Sequence, residues 1–232
     1  MYLPLSKRLQ VCCNFISPGD RVADIGCDHG YLGIHLLLSG VARSVIASDV
    51  NEGPLRSAYV NAEKYGVRER MSFHLSNGVR NIPRDFDVMV CAGMGADTMI
   101  SILEAAPWLK SKQYRLVLQC QSKTPVLRQY LSEQGWRIAE ETVLRDGRFL
   151  YTVMEVWHQP DYPKLTPGER YFPPALMENP APELPEYFQR ICFSLDRTAR
   201  YQQDPVILQA LQELNALATE HPWLKEEHHD NC

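Results

Sequence analysis

The chain has 232 residues, of which 45% are apolar and 22% are charged, a balance that is ordinary for a folded globular protein. This length suits one α/β domain with an appended segment. No stretch approaches the roughly 20 consecutive apolar residues of a membrane helix. The N-terminus lacks a secretory signal pattern, and the seven cysteines form no C-x-x-C pair. We therefore expect a cytoplasmic protein without a membrane segment, a disulfide framework or a bound metal, either as a monomer or as a homodimer.

The formal net charge of −4 is unevenly distributed along the chain. Residues 1–158 carry 18 Lys and Arg against 16 Asp and Glu, whereas residues 159–232 carry 6 against 12. A polyanion would therefore meet the first segment more readily than the second. The charge balance does not by itself predict nucleic-acid binding.

Short apolar runs alternate with helical patterns over the first 135 residues. Five runs predict strands, at 21–26, 44–49, 71–75, 87–92 and 116–120. Helices are predicted between and after them, at 31–38, 54–65, 97–105 and 125–134. Gly66 and Gly135 stand where these patterns end, as expected of helix stops. The fourth strand run is apolar throughout, which is typical of a central parallel strand.

The pattern then changes to two consecutive strand-like runs, 136–144 and 149–157, with Asp146-Gly147 between them. An Asp-Gly pair strongly favours a hairpin turn. Five βα units closed by an antiparallel hairpin are unlike a dehydrogenase and typical of class I methyltransferases. We predict an α/β fold: a Rossmann-like, doubly wound, seven-stranded sheet with a C-terminal antiparallel hairpin, followed by a C-terminal helical extension.

Residues 159–232 are predicted to form a linker and this extension, separate from a domain of residues 1–158. The linker is rich in proline, residues 166–169 have the form of a capping box, and Asp204-Pro205 predicts a helix start. Two apolar stripes at heptad-like spacing predict an antiparallel, coiled-coil-like helical pair: Leu184, Phe188, Ile191 and Leu195, then Ile207, Leu211, Leu214 and Leu217. This pair either packs on its own domain or binds a partner or the substrate. The last residues, 225–232, are expected to fray.

The first predicted strand runs into the motif Asp24-Ile25-Gly26-Cys27-Asp28-His29-Gly30-Tyr31. An acidic residue two positions before the first glycine is typical of the methyltransferase form of this turn, and glycine lets the backbone approach a ligand closely. A dinucleotide site needs G-x-G-x-x-G. Asp28 occupies the second glycine position, where its carboxylate would repel a pyrophosphate and attract the ammonium of S-adenosylmethionine. We predict a site for this cofactor formed by Asp24, Gly26, Cys27 and Gly30; a helix-capping Asp in a tight turn is the alternative.

Two further strand ends complete the predicted cofactor site. Asp49, with Val50 after it, ends the second strand, where a carboxylate can accept hydrogen bonds from both ribose hydroxyls. NAD-binding proteins share this feature, so it indicates a nucleoside cofactor without specifying which. Asn77 and Gly78 follow the third strand, and the Asn77 carbonyl could accept from the adenine amine; an ordinary turn is the alternative.

The fourth strand runs into Ala92-Gly93-Met94-Gly95-Ala96-Asp97. Its small residues leave room for a planar base beside the methyl group. We predict that Ala92 and Gly93 contact the cofactor, and that Gly93, Met94 and Asp97 lie beside the reacting atoms. The alternative is a glycine-rich turn that caps the next helix through Asp97.

A family resemblance is carried by these runs and by others. They are Leu5-Ser6-Lys7-Arg8-Leu9, the run 24–32, the run 49–55, Ala92-Gly93-Met94-Gly95, Gln119, the run 127–131 and Gly135-Trp136. On these residues the chain resembles the bacterial tRNA (adenine(22)-N1)-methyltransferases, over residues 3–157 and more weakly in the helical tail. It departs from the family pattern at Asn77, Ala96 and Ser122, where Asp, Gly and Pro are usual.

The resemblance implies methyl transfer from S-adenosylmethionine to N1 of an adenine in tRNA, at position 22. N1 keeps a lone pair, so positioning and desolvation could supply much of the rate. A carboxylate would stabilise the cationic product, and Asp28, Asp97 and Asp24 are candidates. Tyr31 or His29 could contact the base, which must first leave its stack; for His29 a structural role is equally open.

Six basic side chains are candidate phosphate contacts or, alternatively, solvated surface charges: Lys7, Arg8, Lys123, Arg128, Arg145 and Arg148. A methyltransferase acting on another RNA, a protein or a small molecule would keep every cofactor residue. A non-catalytic RNA-binding protein on the same fold is disfavoured by the intact cofactor set. An NAD oxidoreductase is disfavoured by Asp28 and by the terminal hairpin.

Overall fold

A seven-stranded mixed sheet lies at the centre of the computed structural model, which describes residues 3 and 5–225. Its strands are β1 (Arg21–Ile25), β2 (Ser44–Asp49), β3 (Met71–Leu75), β4 (Val88–Gly95), β5 (Arg115–Ser122), β6 (Trp136–Asp146) and β7 (Phe149–His158). The strand order is β3-β2-β1-β4-β5-β7-β6, with β1 to β5 parallel and β7 antiparallel to both β5 and β6. The predicted Rossmann-like sheet with a closing hairpin is confirmed.

Nine α-helices accompany the sheet within the described part of the chain. They are α1 (Lys7–Cys13), α2 (Tyr31–Leu38), α3 (Glu52–Lys64), α4 (Ala96–Glu104), α5 (Thr124–Glu133), α6 (Pro167–Tyr171), α7 (Ala175–Glu178), α8 (Leu184–Tyr201) and α9 (Pro205–Glu220). The predicted helix bounds in the first 135 residues hold to within two residues. Local capping explains several starts: the Ser6 hydroxyl accepts from Leu9 N, the capping box of Thr166 and Glu169 forms, and Asp204 caps α9.

Helices cover both faces of the sheet, which explains why its central strands are apolar throughout. Side chains alternate between the faces along a strand. On β4, Met89 and Cys91 pack in the core beneath α4 and α5, whereas Val88 and Val90 pack with α1, α2 and α3. None of the helices within residues 5–225 is long and apolar enough to cross a membrane.

The prediction that the fourth strand ends at residue 92 is wrong, because β4 continues to Gly95. Ala92, Met94 and Gly95 pair with β5, with register shifts between successive pairs. Glycine is a poor strand former and often marks such bulges, so the composition of this run concealed the pairing. The hairpin strand β6 also extends past residue 144 to Asp146, and the turn is formed by Gly147, at φ 60°, with Arg148.

The C-terminal extension packs on its own chain. Phe188 of α8 and Leu214 of α9 belong to one buried cluster that includes Val143 of β6. Leu165 and Ala175 pack instead with the core of the sheet. The apolar stripes of α8 and α9 are therefore directed inward, as the first of the two alternatives has it. Division of the chain at residue 158 remains a proposal, and most of the segment predicted to fray, from residue 226 on, lies outside the described residues.

Gly30, which precedes α2, offers a test of how closely α2 and α3 pack. It lies at φ +72°, and a Cβ there would be 2.9 Å from Ala58 Cβ and 3.3 Å from Ala58 Cα. Gly40 is also at φ +72°, but a Cβ there would meet no described atom within 4 Å. Backbone strain should lower the free energy of unfolding by about 1 kcal/mol in both Gly30→Ala and Gly40→Ala. Overpacking against Ala58 should lower it by about 1–3 kcal/mol more in Gly30→Ala. Urea denaturation measures both losses, and equal values would contradict this packing.

Candidate functional site

A cleft of about 310 Å³ lies at the carboxyl ends of β1, β4 and β5. The strand order reverses between β1 and β4, which is the position where open α/β sheets bind ligands. Four chain segments line the cleft: Ser6, Arg8 and Leu9; Asp24, Gly26, Cys27, Asp28 and Leu32; Ala92, Gly93 and Met94; Gln119 and Gln121. A larger groove of about 630 Å³ in the C-terminal extension contains none of the predicted site residues.

The turn after β1 is tight because three of its residues adopt positive φ. Gly26, Asp28 and Gly30 have φ of 74°, 49° and 72°. The amides of Gly26 and Cys27 both donate to the Ser48 carbonyl, at 2.8 and 2.9 Å, which fixes the turn to β2. A side chain at position 26 would meet the methyl group of Met94 at 2.3 Å. Glycine therefore allows Met94 to lie directly against this turn.

Asp24 is a buried carboxyl group in the cleft with one oxygen that lacks a hydrogen-bond donor among the described residues. It is 5% exposed, and no described residue hydrogen-bonds to its Oδ2 atom. Burial, followed by the charge of Asp49, raises the pKa of Asp24 to about 7, against a hydrogen bond from Gly33 that lowers it. A buried carboxylate oxygen without a donor is costly. This atom therefore fits a cationic donor on a ligand in the cleft.

Asp49 connects the turn after β1 to the end of β2. Its Oδ1 atom accepts from Asn51 N at 2.9 Å, and its Oδ2 atom accepts from Asp28 N at 3.3 Å. The side chain is buried, at 7% exposed. A carboxylate oxygen has two lone pairs, so each oxygen can accept one further hydrogen bond.

Two serines that were not among the predicted site residues hold the loop after β3. The hydroxyls of Ser76 and Ser48 both donate to the Gly78 carbonyl, at 2.9 and 3.3 Å. A Cβ at Gly78 would lie 2.8 Å from Ile102, so this position also favours glycine. Asn77 projects as an exposed residue beside this fixed backbone.

Two glutamines of β5 hold the backbone of Gly93, which lies at φ +80°. The Oε1 atom of the fully buried Gln119 accepts from Gly93 N at 3.0 Å. With its amide oriented to satisfy both neighbours, Gln121 donates to the Gly93 carbonyl at 3.2 Å and accepts from Arg8 Nη1 at 2.5 Å. Gln121 was not among the predicted site residues, and Arg8 was predicted only as a phosphate contact. The sequence feature that could have indicated these glutamines is their polar character, at positions 119 and 121 of an otherwise apolar strand.

The structure places seven of the predicted site residues in the cleft: Asp24, Gly26, Cys27, Asp28, Ala92, Gly93 and Met94. Four others lie at the adjoining ends of β2 and β3: Asp49, Val50, Asn77 and Gly78. Gly30 packs behind the turn, against Ala58. The roles assigned to these residues remain proposals.

Three predicted catalytic residues lie elsewhere. His29 and Tyr31, whose ring centroids are 5.8 Å apart, line a separate shallow depression with Arg56 and Ser57 of α3. Asp97 is 71% exposed in the first turn of α4, where its carboxylate pairs with Lys123 Nζ at 2.7 Å. The structure therefore does not bring these three side chains to the lining of the cleft.

One predicted phosphate contact is wrong. Arg128 is completely buried, and its guanidinium pairs with the equally buried Glu141 at 2.6 Å, so it cannot reach a phosphate. Four other candidates lie near the β6–β7 hairpin: Lys7, Arg8, Arg145 and Arg148. Arg8 pairs with Asp146 at 3.0 Å. Lys7 pairs with Glu183 of the extension, and Arg145 pairs with Glu186.

The cysteines near the site are buried. Burial raises the pKa of the thiols of Cys27, Cys91 and Cys120, so they act as small apolar side chains. Within residues 5–225, no group of three or more His, Cys, Asp and Glu side chains is arranged to hold a metal ion.

The strand order, with β7 antiparallel between β5 and β6, is the arrangement of class I methyltransferases. The glycine turn after β1, the buried acid Asp24 near the end of β1 and the acid that ends β2 are the corresponding site features. The chain belongs to the family of methyltransferase domains, whose family model matches residues 5–154.

Three known proteins are similar to this chain in sequence or in structure. The chain is 33% identical over 153 residues to the tRNA (adenine(22)-N(1))-methyltransferase of Bacillus subtilis. The aligned segment covers 66% of this chain and 64% of that protein. The structure is similar to that of the B. subtilis m1A22 tRNA methyltransferase, with a TM-score of 0.77 and 25% identity over 97% of this chain and 100% of the other. It is also similar to Streptococcus pneumoniae Sp1610, a candidate tRNA (m1A22) methyltransferase solved with S-adenosyl-L-methionine, with a TM-score of 0.80 and 30% identity over 92% and 99% of the two chains. The family resemblance seen in the motifs is confirmed.

Proposed function

We propose that this chain transfers the methyl group of S-adenosylmethionine to N1 of adenine 22 in tRNA. The observation that carries the proposal is the buried, unpartnered Asp24 oxygen in a cleft at the switch point of a methyltransferase sheet. The choice of acceptor is supported by the similarity to the B. subtilis and S. pneumoniae proteins along nearly the whole chain. Because tRNA is the acceptor, we place the protein in the cytoplasm.

The cleft and the adjoining ends of β2 and β3 offer acceptors to three donor groups of S-adenosylmethionine. Asp24 Oδ2 accepts from the methionine ammonium, which supplies the missing donor. Asp49 accepts from the ribose hydroxyls through the lone pairs that its backbone donors leave free. Asn77 accepts from the adenine amine. The bound cofactor supplies a methyl group on a positively charged sulfur.

The chain's own groups then position the acceptor base. Gly93 leaves its face of the cleft open, and Gln119 and Gln121 fix its N–H and its carbonyl. N1 of adenine has a lone pair, so no base is required and orientation supplies much of the rate. Asp28, which lines the cleft with a 71% exposed side chain, stabilises the positive charge of the methylated ring.

Transfer from labelled S-adenosylmethionine to an unmodified tRNA transcript tests the proposal. We expect the label as 1-methyladenosine, and none with a transcript in which guanosine replaces adenosine 22. Label on another nucleoside would reject the N1 assignment. Label that persists in the substituted transcript would reject position 22, and S-adenosylhomocysteine binding without any transfer would reject tRNA as the acceptor.

A further inference from the structure

Two aromatic side chains, flanked on either side by an arginine, lie in a line from the tip of the β6–β7 hairpin to the cleft. Arg148 Cζ lies 4.9 Å from the ring centroid of Phe149. The ring centroids of Phe149 and Tyr151 are 6.1 Å apart. Arg8 Cζ lies 5.2 Å from the centroid of Tyr151. We refer to these four side chains as the hairpin ladder.

The backbone fixes the direction of the hairpin ladder. Phe149 and Tyr151 are two residues apart on β7 and therefore project from the same face. The two-residue turn holds Arg148 at the tip, beside Phe149. Arg8 comes from α1 and is held by Asp146 at the end of β6.

The hairpin ladder ends at the reaction site. Arg8 lines the cleft and donates to Gln121, whose amide in turn donates to the Gly93 carbonyl. A polymer bound along the hairpin ladder would therefore reach Gly93, where the acceptor base is proposed to lie.

Exposure and charge indicate what could occupy this surface. Phe149 is 49% exposed, although a large apolar side chain is usually buried. Arg148 is exposed, and no carboxylate of the described residues forms an ion pair with it. Aromatic rings flanked by positive charge match unstacked bases joined by phosphates. A regular duplex keeps its bases stacked and would leave the rings without partners.

We propose that the hairpin ladder binds an unpaired segment of the RNA acceptor and guides it to the cleft, an inference that rests on the proposed function. Bases stack on Phe149 and Tyr151, and the phosphates contact Arg148 and Arg8. The hairpin thereby positions the strand, whereas the cleft positions the reacting base.

The test compares hairpin ladder variants with matched controls. Phe149→Ala is paired with Phe193→Ala, at an exposed phenylalanine of α8. Arg148→Gln is paired with Arg84→Gln, because the Arg84 guanidinium lies over Trp108 near the amino end of β4, outside the hairpin. Two quantities are measured: KM for an unmodified tRNA transcript, and Kd for a single-stranded ten-nucleotide RNA. S-adenosylhomocysteine affinity reports the state of the cleft.

We expect Phe149→Ala to raise KM and Kd about tenfold, within the range that base stacking supplies, and Phe149→Tyr to restore both. Arg148→Gln should reduce the salt dependence of RNA binding by about one phosphate contact. S-adenosylhomocysteine affinity should stay at the wild-type value in all variants, and both control variants should bind RNA normally.

Wild-type KM and Kd in the hairpin ladder variants would overturn the inference and leave the surface for a protein partner or a second copy. A loss in Phe193→Ala instead would move the RNA to the helical extension. Failure of the proposed function gives a different result. In that case Phe149→Ala still weakens binding of the ten-nucleotide RNA, but the wild-type protein forms no 1-methyladenosine in tRNA.

Discussion

Asp24→Asn should weaken S-adenosylhomocysteine binding about a hundredfold, or roughly 3 kcal/mol. Asparagine keeps the size of the side chain and one acceptor oxygen but removes the charge that the ligand ammonium requires. S-adenosylhomocysteine carries the same ammonium, ribose and adenine as the methyl donor, so isothermal titration calorimetry isolates binding from transfer. Transfer at low cofactor concentration should fall by a similar factor.

The pH dependence separates this role from a general defect in folding. Burial raises the pKa of Asp24 to about 7, so the free protein carries this carboxyl largely protonated below that pH. Affinity should therefore rise as pH increases through 7, by up to tenfold per pH unit on the acid side. The Asn variant should lack this step.

Stability should respond with the opposite sign. The folded chain holds the Asp24 proton more tightly than the unfolded chain, whose carboxyl has the ordinary pKa of 3.8. The stability contribution of Asp24 is therefore fully present below pH 3.8 and is lost as pH rises to about 7. Asp24→Asn removes that loss, so above pH 7 the variant should be at least as stable as the wild type.

Asp97→Asn is the matched control for binding, because the same chemical change is made at an exposed carboxylate outside the cleft. Its S-adenosylhomocysteine affinity and pH profile should match those of the wild type. Wild-type affinity in Asp24→Asn would instead place the ammonium at another carboxylate, and Asp28 also lines the cleft.

Those parts of the site that depend on local sequence could be predicted. A buried acid, two glycines and a helix start within eight residues specify the turn after β1, and Gly66 and Gly135 indicated helix ends that the structure shows at φ 71° and 76°. Such features depend on backbone conformation over a few residues. The strand positions followed equally from apolar runs of the right length.

The remaining parts depend on contacts between distant residues. Arg8 reaches Gln121 only because α1 lies across the carboxyl edge of the sheet, and no local pattern reports that placement. Arg128 was predicted to lie at the surface, as a phosphate contact or a solvated charge, because most arginines are exposed. Its burial follows from pairing with Glu141 and Tyr187, which are 13 and 59 residues away.

Arg128→Met should lower the free energy of unfolding by about 3–5 kcal/mol, the cost of leaving a buried charge without its partner. The Arg128 guanidinium bonds both oxygens of Glu141, at 2.6 and 3.2 Å, and also the Tyr171 carbonyl at 2.6 Å and the Tyr187 hydroxyl at 3.1 Å. Burial alone would lower the pKa of Arg128, but Glu141 and Tyr187 raise it above its ordinary value. Urea denaturation near pH 7 measures the loss.

A second substitution distinguishes the charge from the packing. Arg128→Met with Glu141→Leu removes both charges, and apolar replacement of a buried pair is often close to neutral, so most of the loss should be recovered. Arg200→Met, in an exposed pair with Asp196 at 2.7 Å, should cost less than about 0.5 kcal/mol. A loss in Arg128→Met no larger than that of Arg200→Met would show that the buried pair contributes little.

The same variant tests the proposed division of the chain. Arg128 of α5 bonds carbonyls of α6 and the Tyr187 hydroxyl of α8, so the buried guanidinium joins the sheet to the extension. If residues 159–225 form a separate unit, Arg128→Met should expose them to proteolysis first, while the remaining domain still binds S-adenosylhomocysteine. If cleavage and loss of binding occur in one transition, the extension is part of a single cooperative fold, because the sheet core then depends on Leu165 and Ala175 packing against it.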